Sequence, residues 1–218
     1  MPLSISIEEF VDRSAEPAVR GFLHVPVQAN GDSLVLTHGA GANCKSNLLV
    51  TLANAFAEAG FTVLRFDLPF RQARPFGPPF PTTAERDREG IHRAIDVVKQ
   101  KTAGRIYAGG HSYGGRQTTM LVAETPELVD GLLLLSYPLH PVGQPAKLRT
   151  EHFPAVNTPA MFVHGARDGF GTIQEMEAAL KLIPTRTRLV PVKGAGHGVP
   201  PGIAVSIAHW FTEFIHAG

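Results

Sequence analysis

The chain reads as an open α/β fold, a mostly parallel central sheet with helices on both faces, and three features carry that expectation. Short apolar runs alternate with segments of helical periodicity from residue 34 to the end. The later runs are apolar throughout, as in Leu132-Leu-Leu-Leu135, which suits strands buried on both faces. The intervening segments are long enough for right-handed helical crossovers between parallel strands.

Taken in order, Leu3 to Ile7 and Gly21 to Val27 look extended and suit an antiparallel edge, with a turn over residues 28–33. Leu34 to Thr37 is a short buried strand. Asn47 to Ala59 places Leu48, Leu52, Ala55, Phe56 and Ala59 at helical spacing and is closed by Gly60. Strands are then expected at 61–66, 105–108, 131–136, 160–164 and 187–192, and helices at 83–101, 113–124, 173–182 and 203–216. Residues 68–81 hold too many prolines for a helix or a central strand and are expected as a pocket wall beyond a strand's C-terminal end. No internal repeat or low-complexity tract interrupts the pattern.

With 218 residues the chain suits one domain spanning 1–218 and is short for two. Hydrophobic residues make up 44%, charged residues 18%, and the formal net charge is +1, which argues against disorder and against an electrostatic nucleic-acid binder. A small-molecule partner is expected instead. The single cysteine, Cys44, leaves no intramolecular disulfide framework and no cysteine cluster for a metal, so neither metal nor cofactor is expected. The opening residues lack a basic segment followed by a long apolar one, and no run reaches the ~20 apolar residues of a membrane span. A cytoplasmic protein without membrane association is expected.

The chemistry concentrates in Gly109-Gly-His-Ser-Tyr-Gly-Gly-Arg116. Between a strand and a helix, Gly-x-Ser-x-Gly makes a tight turn that holds the serine out of the sheet, with the next amide at a helix N-terminus. A serine hydroxyl is a weak nucleophile at neutral pH and needs a base, itself oriented by an acid. Both follow downstream, each in a glycine turn after its own strand: Asp168 in Gly165-Ala-Arg-Asp168, and His197 in Lys193-Gly-Ala-Gly-His197. Tyr113 would give one oxyanion amide, and the turn His38-Gly-Ala-Gly41 the other, from Ala40 or Gly41. Asp168 as a helix N-cap and His197 as a solvated loop histidine are the blander readings.

These motifs resemble the α/β-hydrolase superfamily over essentially the whole chain, and its compact dienelactone-hydrolase-like branch in particular. The resemblance implies an α/β-hydrolase fold, with Ser112, Asp168 and His197 as nucleophile, acid and base. Dienelactone hydrolases typically carry cysteine where this chain has Ser112, so their substrate is not carried over. Many relatives insert a helical cap after the sixth core strand. Here only the proline-rich Tyr137 to Pro159 separates that strand from the next, so a minimal lid and an open site are expected.

Arg71, Arg74, Arg116, Arg149 and Arg167 lie on segments that should reach the strands' C-terminal edge, and guanidinium forks suit an anionic ester. Arg116, one helical turn after Ser112, is the strongest of these candidates, and His140 and His152 are further candidates for the mouth. The expected function is therefore a serine hydrolase cleaving a carboxylic ester or thioester of a small, anionic substrate through an acyl-enzyme. The alternative is a non-catalytic protein-interaction module on the same scaffold, because the branch also resembles a non-catalytic-looking subunit of a eukaryotic histone-acetyltransferase complex.

Overall fold

A computed structural model describes residues 5–217. Eight strands form one sheet in the order β1-β2-β4-β3-β5-β6-β7-β8. The first two, β1 (Ser6–Asp12) and β2 (Val19–Val25), pair antiparallel, and β2 joins β4 (Thr62–Phe66) antiparallel as well. The expected edge hairpin is thus present, although its first strand runs five residues beyond Ile7, and Leu3 and Ser4 lie outside the described residues. The strands β3 (Ser33–Thr37), β4, β5 (Ile106–His111), β6 (Gly131–Leu135), β7 (Ala160–Gly165) and β8 (Thr187–Val192) are parallel.

Alternation along the strands divides the apolar residues between two cores. Val35, Ala108, Leu132 and Leu134 face one core, under helices α3 (Ala84–Lys99), α4 (Tyr113–Glu124) and α5 (Ile173–Leu180). Leu34, Leu36, Tyr107 and Leu133 face the other, under α1 (Asn47–Glu58) and α6 (Ala204–His216). Phe56, Tyr107 and Phe211 meet edge to face there, with centroids 5.3 to 5.8 Å apart. No helix among the described residues is long and apolar enough to cross a membrane.

One helix was not expected from the sequence. Pro69–Ala73 forms a short helix, α2, inside the proline-rich stretch. Pro69 occupies its first turn, where the missing N–H has no intrahelical partner to lose, and the next proline, Pro75, lies beyond its end. Between β6 and β7 only a single 3-10 turn, Phe153–Ala155, interrupts the loop, so no large cap covers the sheet's C-terminal edge.

Topology fixes where a site can form. The chain moves outward from β3 to β4, then returns across β3 to β5, so the connections leaving β3 and β5 diverge at adjacent strands. That reversal opens a crevice at their C-terminal ends, the usual ligand position in open α/β sheets.

Candidate active site

At the end of β5 the backbone turns sharply through Ser112, whose φ of 52° and ψ of −115° lie where L-residues rarely sit. Holding such a residue costs about 1–3 kcal/mol and requires support from its surroundings. The Ser112 amide donates to Leu135 O at 2.8 Å, and the Ser112 carbonyl accepts from the Arg116 amide at 3.0 Å. The flanking glycines have a steric purpose. A Cβ on Gly110 would lie 2.1 Å from Thr37 Oγ1, and one on Gly114 2.2 Å from the same oxygen, so strand, elbow and helix can meet β3 only without side chains there.

The structure brings Ser112, His197 and Asp168 together. Ser112 Oγ lies 2.8 Å from His197 Nε2, and His197 Nδ1 lies 2.8 Å from Asp168 Oδ2. Asp168 is buried in the turn after β7, and its other oxygen accepts from the Phe170 amide at 2.9 Å. Burial opposes its charge, but the bonds from His197 and from the Phe170 amide outweigh this and hold the carboxyl below its ordinary pKa. An ionised Asp168 only accepts, so the proton on the histidine belongs on Nδ1, and Nε2 is free to accept from Ser112. Asp168 does not cap the next helix. Thr172 does, in a capping box with Glu175. The loops that carry Asp168 and His197 are tied by the Arg167 amide donating to Ala195 O at 2.8 Å, and Phe170 packs on the His197 ring at 4.2 Å between centroids.

The turn after β3 closes with the Ala42 amide donating to Gly39 O at 3.0 Å. The amides of Ala40 and Tyr113 meet no acceptor among the described residues, and both residues line the cavity with Ser112. Gly41 is exposed and outside that lining. His38, fully buried, braces the turn: Nδ1 bonds Gly39 O at 2.9 Å and Nε2 accepts from the Leu68 amide at 3.1 Å. Burial pushes its pKa down, consistent with a neutral ring in both roles.

The cavity encloses about 520 Å³. Ala40, Ser112 and Tyr113 form its floor, Pro78 to Pro81 one wall, and Arg116, Gln117, Met120, Arg149 and Phe170 much of the remainder. The proline-rich stretch is therefore a pocket wall, as expected. Of the candidate arginines, Arg116 and Arg149 line the cavity, whereas Arg71, Arg74 and Arg167 do not.

Arg71 is the clear correction. Its Nε donates to Ala42 O at 2.8 Å, while Nη2 donates to Ala40 O at 2.8 Å and Gly77 O at 3.0 Å, so the fork is occupied by main-chain carbonyls instead of a ligand. Arg74 donates to Pro78 O and stacks on Phe80, with its guanidinium carbon 4.0 Å from the ring centroid, which stiffens the wall from behind. His140 bonds Pro141 O at 2.8 Å, and His152 bonds Thr119 Oγ1 at 2.9 Å; neither reaches the lining. Cys44 is buried and its thiol is pushed up to about 12, by burial first and then by Asp67, which suits no thiolate chemistry.

Two supports escaped the sequence reading: Arg71 in its actual role, and Asp87. Asp87, fully buried on α3, accepts from Tyr113 Oη at 2.7 Å and from the Phe70 amide at 2.9 Å, joining α2, α3 and the elbow. Its place in the first turn of a helix gave it the look of an ordinary helix-start acid.

A strained serine turn at the crevice of a mostly parallel sheet, with Asp168 and His197 beyond the two last strands and in line with it, is the arrangement of the α/β-hydrolase fold. Residues 30–206 match the family model described as alpha/beta hydrolase domain, and the chain belongs to that family. Among solved structures, a protein from Thermus thermophilus superposes with a TM-score of 0.77 at 20% identity, covering 99% of this chain and 100% of that one. A dienelactone hydrolase from Anabaena variabilis gives 0.74 at 23% identity over 96% of both chains. An alpha-beta serine hydrolase homologue from Coxiella burnetii gives 0.74 at 17% identity, over 94% of this chain and 96% of its own. These likenesses are of fold.

Proposed function

We propose that the chain is a serine hydrolase acting as one domain on a carboxylic ester or thioester of a small substrate, through an acyl-enzyme. The observation that carries this reading is the unbroken hydrogen-bond line from Ser112 through His197 to Asp168, opening into the cavity at the crevice.

Ser112 Oγ attacks the substrate carbonyl carbon as His197 Nε2 takes the hydroxyl proton, and Asp168 stabilises the imidazolium that results. The carbonyl oxygen becomes an oxyanion and is met by the Tyr113 amide, at the positive end of α4, and by the Ala40 amide. Gly41 is the weaker candidate for this second donor because it stands outside the cavity lining. Collapse of the tetrahedral adduct breaks the bond to the leaving alcohol or thiol, which His197 protonates. Water then attacks the acyl-serine with His197 as base, releasing the carboxylic acid and restoring the Ser112 hydroxyl.

Ser112→Ala is expected to abolish turnover of p-nitrophenyl acetate and labelling by a fluorophosphonate. Turnover that persists in this variant at the wild-type rate would refute the proposal.

A further inference from the structure

We propose that Arg116, Arg149 and Gln117 form a carboxylate-binding subsite inside the cavity, so that the preferred substrate carries a free carboxylate besides its scissile ester or thioester. This deepens the hydrolase reading above and rests on it.

The donors are unbalanced by acceptors. Arg116 Nε and Gln117 Nε2 are both buried without a hydrogen-bond partner, and Gln117 is fully buried yet part of the cavity lining. The Gln117 oxygen is already engaged, accepting from Arg88 Nη1 at 3.2 Å, which leaves its NH₂ as an unpaired buried donor. Arg149 donates once, from Nη1 to Pro138 O at 3.2 Å, leaving other N–H groups of its fork uncommitted. The arginines that form ion pairs among the described residues are Arg86, Arg88, Arg93 and Arg188; neither cavity arginine does. Unpaired buried donors are costly in a folded chain, and the pair on the adjacent lining residues Arg116 and Gln117 points to a ligand that supplies acceptors.

The charges also conflict with one another. Arg116 sits in the first turn of α4, where the helix dipole disfavours a cation and no acidic residue offsets it. Burial lowers the pKa of Arg149, and the nearby Arg116 charge lowers it further. Burial, then the same Arg116 charge, pushes His152 down to about 4, so the side chain behind the pair stays neutral. A bound anion relieves each of these conflicts together.

The site is preformed. The Arg149 amide donates to Leu139 O at 2.8 Å and its carbonyl accepts from Tyr137 Oη at 2.7 Å, which fixes the loop that carries it. Arg116 lies in the first turn of the helix that Ser112 precedes, and its amide donates to the Ser112 carbonyl at 3.0 Å, so subsite and reacting centre are rigidly linked. A planar carboxylate matches guanidinium forks and, as a monoanion, is less costly to transfer into a cavity otherwise walled by Phe80, Met120 and Phe170 than a dianionic phosphate.

Two substrate pairs test this by kcat/KM: 4-nitrophenyl hydrogen glutarate against 4-nitrophenyl valerate, with the carboxylate on the acyl side, and carboxymethyl butyrate against ethyl butyrate, with it on the alcohol side. We expect the charged member to be preferred about tenfold or more in one pair, as charge-assisted hydrogen bonds allow. Arg116→Met and Arg149→Met should each reduce that ratio about tenfold. No preference in either pair, or a ratio unchanged in both variants, overturns the subsite. Failure of the hydrolase reading shows separately, as no turnover of any ester and no fluorophosphonate labelling. Calorimetric titration with glutarate then decides the subsite by itself: binding that is lost in Arg116→Met supports it, and absence of binding overturns it.

Discussion

Each proposed catalytic side chain owes its state to a neighbour. Asp168 remains ionised because His197 and the Phe170 amide offset its burial, and its charge selects the His197 tautomer that can accept from Ser112. An amide in its place would favour the opposite tautomer while leaving the shape almost intact. Asp168→Asn is therefore expected to lower kcat by about 10⁴-fold with an unchanged near-ultraviolet circular dichroism spectrum. A variant within tenfold of wild type would show that Asp168 is not the orienting acid. These three residues were legible in the sequence because each follows a strand with a recognisable apolar pattern and sits in a glycine-bearing turn. Arg71 and Asp87 were not legible in their roles, because a buried charged side chain leaves the same trace in a sequence as a solvated one.

Short elements set the geometry of the proposed oxyanion site. The first turn of α4 presents the Tyr113 amide, and the turn after β3 presents Ala40, held by α2 through Arg71. With its donors on the carbonyls of Ala40 and Ala42, Arg71 fixes the 40–41 and 42–43 peptide planes and so braces the turn that carries the Ala40 amide. Arg71→Met keeps much of the side-chain volume and leaves those carbonyls unpaired. It is expected to reduce kcat by roughly 10–100-fold with little change in KM, since the oxyanion interaction belongs to the transition state. A rise in KM at constant kcat would instead return Arg71 to substrate binding. Composition misled at this level: prolines at 69 and 75 argue against a long helix, yet a five-residue helix begins on the first and ends before the second. The bounds of α4 and β8 were legible to the residue because the Gly-x-Ser-x-Gly turn sets the start of α4 and the glycine turn from Lys193 closes β8.

Over the whole molecule, the order of the parallel strands places the crevice, and the two antiparallel strands widen the sheet beyond β4. Alternation of helices and strands foretold the parallel layers, whereas the pairing of β2 with β4 depends on contacts distant in sequence that no local pattern records. The same burial that builds the layers makes the fold sensitive to acid. His24, fully buried on β2, accepts from Arg65 Nε at 2.8 Å, and burial followed by the Arg65 charge moves it to about 4. His152 reaches about 4 by burial and the Arg116 charge. Both values lie below the ordinary 6.5, so between about pH 6.5 and pH 4 the unfolded chain binds protons that the folded chain refuses. Stability therefore rises with pH through this window and is lost as pH falls through it, with a proton difference between the states that approaches two from these residues alone. Asp168 shifts in the same direction, its folded pKa lying below an unfolded value of about 3.9, and so contributes to losses only at still lower pH. Asp87, raised by burial, opposes the histidines, since its shift removes stability as pH rises from its ordinary value through its folded one. Urea midpoints measured from pH 7 to pH 5 are expected to fall steadily for the wild type. They should fall less steeply for His24→Gln/His152→Gln, where neutral amides replace both rings and Asp87 is untouched. Equal slopes in the two proteins would mean that the buried histidines do not govern acid sensitivity.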